Sequence, residues 1–238
     1  MNLPPRIKKP ADEAFAIVAR KKDHEFGPKA RGALFSKWLV IDEKAAKKAI
    51  CWIGILCAKH VLPLFEDVMW SRPKSHWDGL DLLPYKSIVM AEGVMAGVTD
   101  ADYAYEYACG SHYDVEIMQP DLPLYAHLAN RAANLALTAA SDPTGWYDPF
   151  NVLTKLAFEN NNITDIESVG TLDYMTWETF TDAIWSMSTD CDVSSAAATA
   201  WSCIDDLYIA DSVRLFDFWT WWFQVALPEA WMRASISI

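Results

Sequence analysis

Two aspartates stand side by side at Asp205 and Asp206, and Asp211 follows on the same stretch. Hard divalent cations take oxygen ligands, so paired carboxylates on a helix can hold Mg²⁺ against a diphosphate. Asp182, Ser186 and Asp190 recur at intervals of four, the spacing that brings side chains to one helix face. Together the two elements would make an Asp-rich magnesium site. The same residues also suit a plainer role, an acidic solvent face with aspartates capping helix starts.

Other chemistry is thin. The histidines are His24, His60, His76, His112 and His127; no two lie four apart, and none follows a glutamate by three residues. The helical zinc motif and the di-iron bundle motif therefore both fail. There is no glycine-rich phosphate loop and no G-x-S-x-G elbow. No catalytic residue, metal or cofactor is expected. His60, three residues before Pro63 on an apolar run, offers a base or ligand. Its ordinary role would be a core histidine bonded to a carbonyl that the proline leaves free. His127, Arg131, Asn134 and Thr138 form one polar stripe at helical spacing, which reads as a solvated or inter-helix face.

Trp177, Trp185, Trp201, Trp219, Trp221, Trp222 and Trp231 crowd the last third. Most should fill core, because each carries a large apolar area; some can anchor a partner. Adjacent Trp221 and Trp222 cannot face the same way on one helix.

The elements that must position these residues are helical. The chain has 238 residues, 52% hydrophobic and 22% charged, with only 9 Gly and 12 Pro. That excludes disorder and low-complexity sequence and allows a large core. Net charge is −12, unevenly spread: residues 1–75 carry 15 Lys/Arg against 8 Asp/Glu, and residues 76–238 carry 5 against 24. Such a balance argues against nucleic acid as a partner and for a basic protein face. Solubility alone is the simpler use of the charge. Five cysteines without a C-x-x-C pair fit a reduced, cytoplasmic setting. No secretory h-region follows the N-terminus, and the apolar run Ala49–Ala58 is too short to span a bilayer, so no membrane is expected.

The pattern predicts an all-α fold, a single compact assembly of about nine to eleven helices. Residues 1–41 read as a basic N-terminal arm with short helices, and residues 42–238 as the main domain. A first helix is expected over Ala11–Lys22, after Pro10. Pro28 and Gly32 bracket a connection. A central apolar helix starts at the N-cap Asp42 and is kinked or ended by Pro63. A loop over Trp70–Pro84 precedes helices at Tyr85–Ala96 and Ala101–Tyr113, the second capped through Thr99-Asp100. An alanine-rich helix follows at Leu124–Ala140. Further helices are expected at Phe150–Glu159, Trp177–Ser188, Ser194–Leu207 and Ala210–Leu227.

The run Cys57-Ala58-Lys59-His60-Val61-Leu62-Pro63-Leu64-Phe65-Glu66, followed by Arg72-Pro73, resembles the opening of a helical family. This is the fifth numbered immunity class of bacterial polymorphic toxin systems. Its pattern is Cys-Ala-x-x-Val-Leu-Pro-x-Phe-Glu, then Arg-Pro, then alanine-rich helices, here Tyr125–Ala140. The resemblance spans residues 42–141; the arm and the acidic, Trp-rich residues 142–238 lie outside it. It implies a non-enzymatic protein that neutralises a cognate toxin by binding it, and it carries over no site residues. Local charge density nominates Asp190, Asp192, Asp205, Asp206, Asp211 and Asp217 as partner-binding, by steering a basic toxin face. Two alternatives stand beside it. One is a magnesium-dependent helical enzyme whose Asp-rich site resembles that of terpene synthases. The other is a structural module that docks through its basic arm. The oligomeric state is left open.

Overall fold

The computed structural model describes residues 3–72, 79–108, 122–141, 190–203 and 211–236. Among these the chain is helical and contains no strand. Eight α-helices are bounded: α1 (Pro5–Arg20), α2 (Pro28–Ile41), α3 (Glu43–Trp70), α4 (Leu83–Met95), α5 (Leu124–Ser141), α6 (Asp190–Ser202), α7 (Ser212–Trp221) and α8 (Leu227–Ser235). Residues 101–108 are helical as well. The eight bounded helices are fewer than the nine to eleven expected; the expected helices Phe150–Glu159 and Trp177–Ser188 lie outside the described residues.

Helix α3 is the centre. The Asp42 carboxylate accepts from the Ala45 N–H at 3.0 Å, the N-cap that the sequence announced. Twelve α3 residues are buried, among them Ile50, Ile53, Leu56, Val61 and Phe65. Helices α2, α5, α6 and α8 pack around it. Among the described helices α3 alone is long and apolar enough to cross a membrane, and those neighbours cover just over half of its apolar stretch.

Pro63 does not end the helix, contrary to one of the two expected outcomes: α3 runs on to Trp70. A helix-interior proline costs about 3 kcal/mol. Val61, Phe65 and Met69 are fully buried around it, and each contributes about 1.5–3 kcal/mol by leaving water. Packing therefore outweighs the lost hydrogen bond.

Two further expectations need correction. Helix α1 begins at Pro5 rather than Ala11, with Pro10 inside it. Pro5 sits at the first helical position, where its missing N–H costs nothing, and Ile7, Ala11 and Val18 bury one face. The connection expected between Pro28 and Gly32 is instead the start of helix α2, which runs over Pro28–Ile41. Pro28 again starts it, and Leu34, Phe35 and Trp38 bury its inner side. Both helices join the same hydrophobic cluster as α3. Asp42 is at once the C-cap of α2 and the N-cap of α3.

The alanine-rich helix α5 packs on α3, α4 and α6. Ala126, Ala129, Ala132, Ala133, Ala136 and Ala139 are all buried, so small side chains let the backbones approach closely. At the C-terminus α7 and α8 are joined without a break by a π turn, Trp222–Ala226. The turn lies just before Pro228, whose ring would collide with the Gln224 carbonyl in a regular helix. Widening the turn relieves that clash.

Candidate functional site

The run Cys57–Glu66 lies in the middle of α3. Cys57, Ala58, Val61 and Phe65 point into the core. Cys57 Sγ lies 3.5 Å from Ser194 Oγ on α6, and Ser194 Oγ accepts from the Trp222 indole N–H at 3.1 Å. Ser194, expected to start its helix, is instead fully buried within α6. One hydroxyl thus ties together α3, α6 and the π turn. A buried indole N–H without an acceptor is costly, which is reason enough for a serine there.

His60 is half-buried and sits among aromatic rings. It stacks on Trp221 with centroids 3.8 Å apart, and Trp201 and Phe218 lie at 4.5 Å and 5.9 Å. Burial lowers its pKa from 6.5 to about 4, because desolvation disfavours the charged imidazolium. The ring is neutral at physiological pH. Among the described residues His60 makes no bond to a freed carbonyl; its ring stacks instead. Trp221 thereby faces His60 while Trp222 faces the core, as their adjacency required.

The polar stripe of α5 is an inter-helix face. Asn134 is buried and its amide donates to the Ala108 carbonyl at 2.8 Å. Thr138 Oγ1 donates to the Asn134 carbonyl at 3.1 Å.

A cleft of about 370 Å³ opens between α2, α6 and α7. Arg31 is 1% exposed and forms part of its wall. Its guanidinium donates to the Phe26 carbonyl and to Ser195 Oγ. It also lies 5.1 Å from the centroid of the Trp219 ring, a cation–π contact that offsets part of the cost of burying charge. Asp23 and Glu25 are exposed at the mouth. The sequence reading missed Arg31, since a lone arginine in a basic stretch looks like surface. Only the aromatic residues around it, Phe26 and Trp219, hinted otherwise.

Of the six acidic residues nominated from sequence, four lie on described elements. Asp190 and Asp192 fall in the first turn of α6. Asp205 and Asp206 lie outside the described residues, as do Asp182 and Ser186. Asp211 caps α7, accepting from the Val213 N–H at 2.7 Å and the Arg214 N–H at 3.3 Å. Asp217 is exposed on α7. Among the described residues no group of three His, Cys, Asp or Glu side chains is placed to hold a metal ion. A scan against protein-family models matches none, and a search of the curated proteins finds no match.

Proposed function

We propose that this chain is a cytoplasmic immunity protein that binds a cognate toxin domain and neutralises it by occlusion, with no chemistry of its own. The observation that carries the reading is the run Cys57–Glu66 inside α3. Its Cys, Ala, Val and Phe positions are the buried ones, and the alanine-rich α5 packs directly against α3. Both are what the resemblance implies for a helical scaffold. The net charge of −12 supports a toxin with a basic face, because opposite potentials speed association and an antidote must bind before damage is done. The reading keeps nine to eleven helices in one assembly for the whole chain.

The test is co-expression with the toxin domain encoded beside this chain. The full chain restores growth and forms a 1:1 complex in calorimetry. Failure of growth to recover, with both proteins shown to be present, ends the reading.

A further inference from the structure

The helix at residues 101–108 has two unlike sides. At 100° per residue, Tyr105, Asp102, Glu106 and Tyr103 occupy one continuous arc of roughly 160°. All four are exposed, whereas Ala104 and Ala108 on the opposite side are fully buried. The two carboxylates therefore sit between two tyrosines. Tyr103 is 61% exposed and Val98, just before the helix, 81%.

This face is held rigidly. Asp100 caps the helix by accepting from the Tyr103 N–H at 2.9 Å. Asn134 on α5 holds the Ala108 carbonyl at the other end. The turn that leads in is a Schellman cap: Val98 N–H donates to the Gly93 carbonyl and Gly97 N–H to the Val94 carbonyl, both at 2.9 Å, with Gly97 left-handed at φ 70°. The exposed side chains are thus presented by a fixed backbone, which lowers the entropy cost of binding.

The charge on this face is of one sign. No Lys or Arg occurs between residues 87 and 130. Asp102 and Glu106 form no ion pair among the described residues, and as like charges four apart they weaken their own helix slightly. Exposed tyrosines on a rigid element are the residue type that dominates protein contacts. Nucleic acid is repelled by such a face, and a basic protein surface complements it.

We propose that the outer face of residues 98–106, with Tyr103 and Tyr105 flanking Asp102 and Glu106, is where a basic protein partner docks. The partner is the toxin domain of the preceding reading, on which this inference rests. Tyr103 is the anchor, and the two carboxylates steer the approach. This places the contact on a different element from the acidic α6 and α7 residues nominated by sequence.

The probe is the toxin domain whose growth arrest the full wild-type chain relieves. The double substitution Asp102→Lys with Glu106→Lys slows association about tenfold or more at low salt, and the gap closes as salt rises. Tyr103→Ala raises Kd about 10- to 100-fold, mainly through faster dissociation. All three positions are exposed, and unchanged circular dichroism and Tm establish that the variants fold. A photo-cross-linking residue at position 103 captures the toxin, and one at position 217 does not. Capture from 217 and not from 103, or wild-type Kd in both variants, overturns the docking face and leaves the immunity reading intact. A wild-type chain that binds no toxin overturns both.

Discussion

The His60 ring lies flat on Trp221, 3.8 Å between centroids and 12° from parallel. The contact joins the family-like run of α3 to the end of α7, and it sets how the molecule responds to acid.

With its pKa lowered to about 4, folded His60 stays neutral where the unfolded chain begins to take a proton, near 6.5. The unfolded state therefore binds more protons between those values, and stability falls as pH drops from 6.5 towards 4. The loss stays well below about 3 kcal/mol, because solvent reaching the half-buried ring screens it and attraction between imidazolium and the indole faces reduces it further. Urea unfolding of wild type and His60→Phe from pH 7 to 4 isolates the effect from that of the carboxylates. The stability difference between the two proteins widens in favour of Phe at low pH. Parallel curves would show that His60 does not titrate on unfolding.

Ser194→Ala leaves the Trp222 indole N–H buried without its acceptor. The expected cost is about 1–3 kcal/mol. Trp222→Phe loses less in that background than in wild type, and a double-mutant cycle in urea reads the coupling. Additive losses would remove the hydroxyl from its bridging role.

At Gly93 an added Cβ would collide with the Thr99 side chain. Alanine is the better helix former by up to about 1 kcal/mol, yet the clash should outweigh that gain. Gly93→Ala destabilises by about 1–3 kcal/mol, and Thr99→Ala in the same chain recovers part of the loss. Calorimetric Tm values of the three variants decide it, since a stabilised Gly93→Ala would mean that the turn yields.

Magnesium separates the immunity reading from the enzyme alternative. Millimolar Mg²⁺ is expected to shift Tm no more than Ca²⁺ at equal ionic strength. A specific Mg²⁺ shift that vanishes in Asp205→Ala and Asp206→Ala would restore the metal-dependent reading.

Glu92 receives both Lys59 and Arg233, at 3.0 and 3.5 Å, across α3, α4 and α8. Lys59 is exposed, and Glu92 and Arg233 are partly open to solvent, so Glu92→Gln costs about 1 kcal/mol or less. Chemical denaturation in low and high salt checks both the size and its screening.

The sequence was a good guide where patterns are dense and a poor one at prolines. The apolar run Ala49–Ala58 and the alanines of α5 marked the central helices, Asp42 marked the start of α3, and Asp100 that of the helix at residues 101–108. Pro10, Pro28 and Pro63 misled, because a proline can open a helix or survive inside one that is held by burial. That burial comes from distant elements and is not written locally. Asp211 takes the plainer of its two readings, a helix cap, and only the backbone of α7 shows which N–H groups it serves. The arc of Tyr103 and Glu106 was readable as a helical period, but nothing in the sequence said that Ala104 and Ala108 would turn inward.

The π turn at Trp222–Ala226 has a rotational consequence. Trp222 and Trp231 are nine positions apart, which in a regular α-helix is roughly 900° and sets them on opposite sides. One residue taken up by the wide turn brings them to within roughly 80° of each other. Both are buried on that account. The turn works as a phase shifter: deleting a single residue from it would leave a regular helix that turns by the same roughly 800° and keeps Trp231 in the core, whereas a regular helix of the present length would turn Trp231 out.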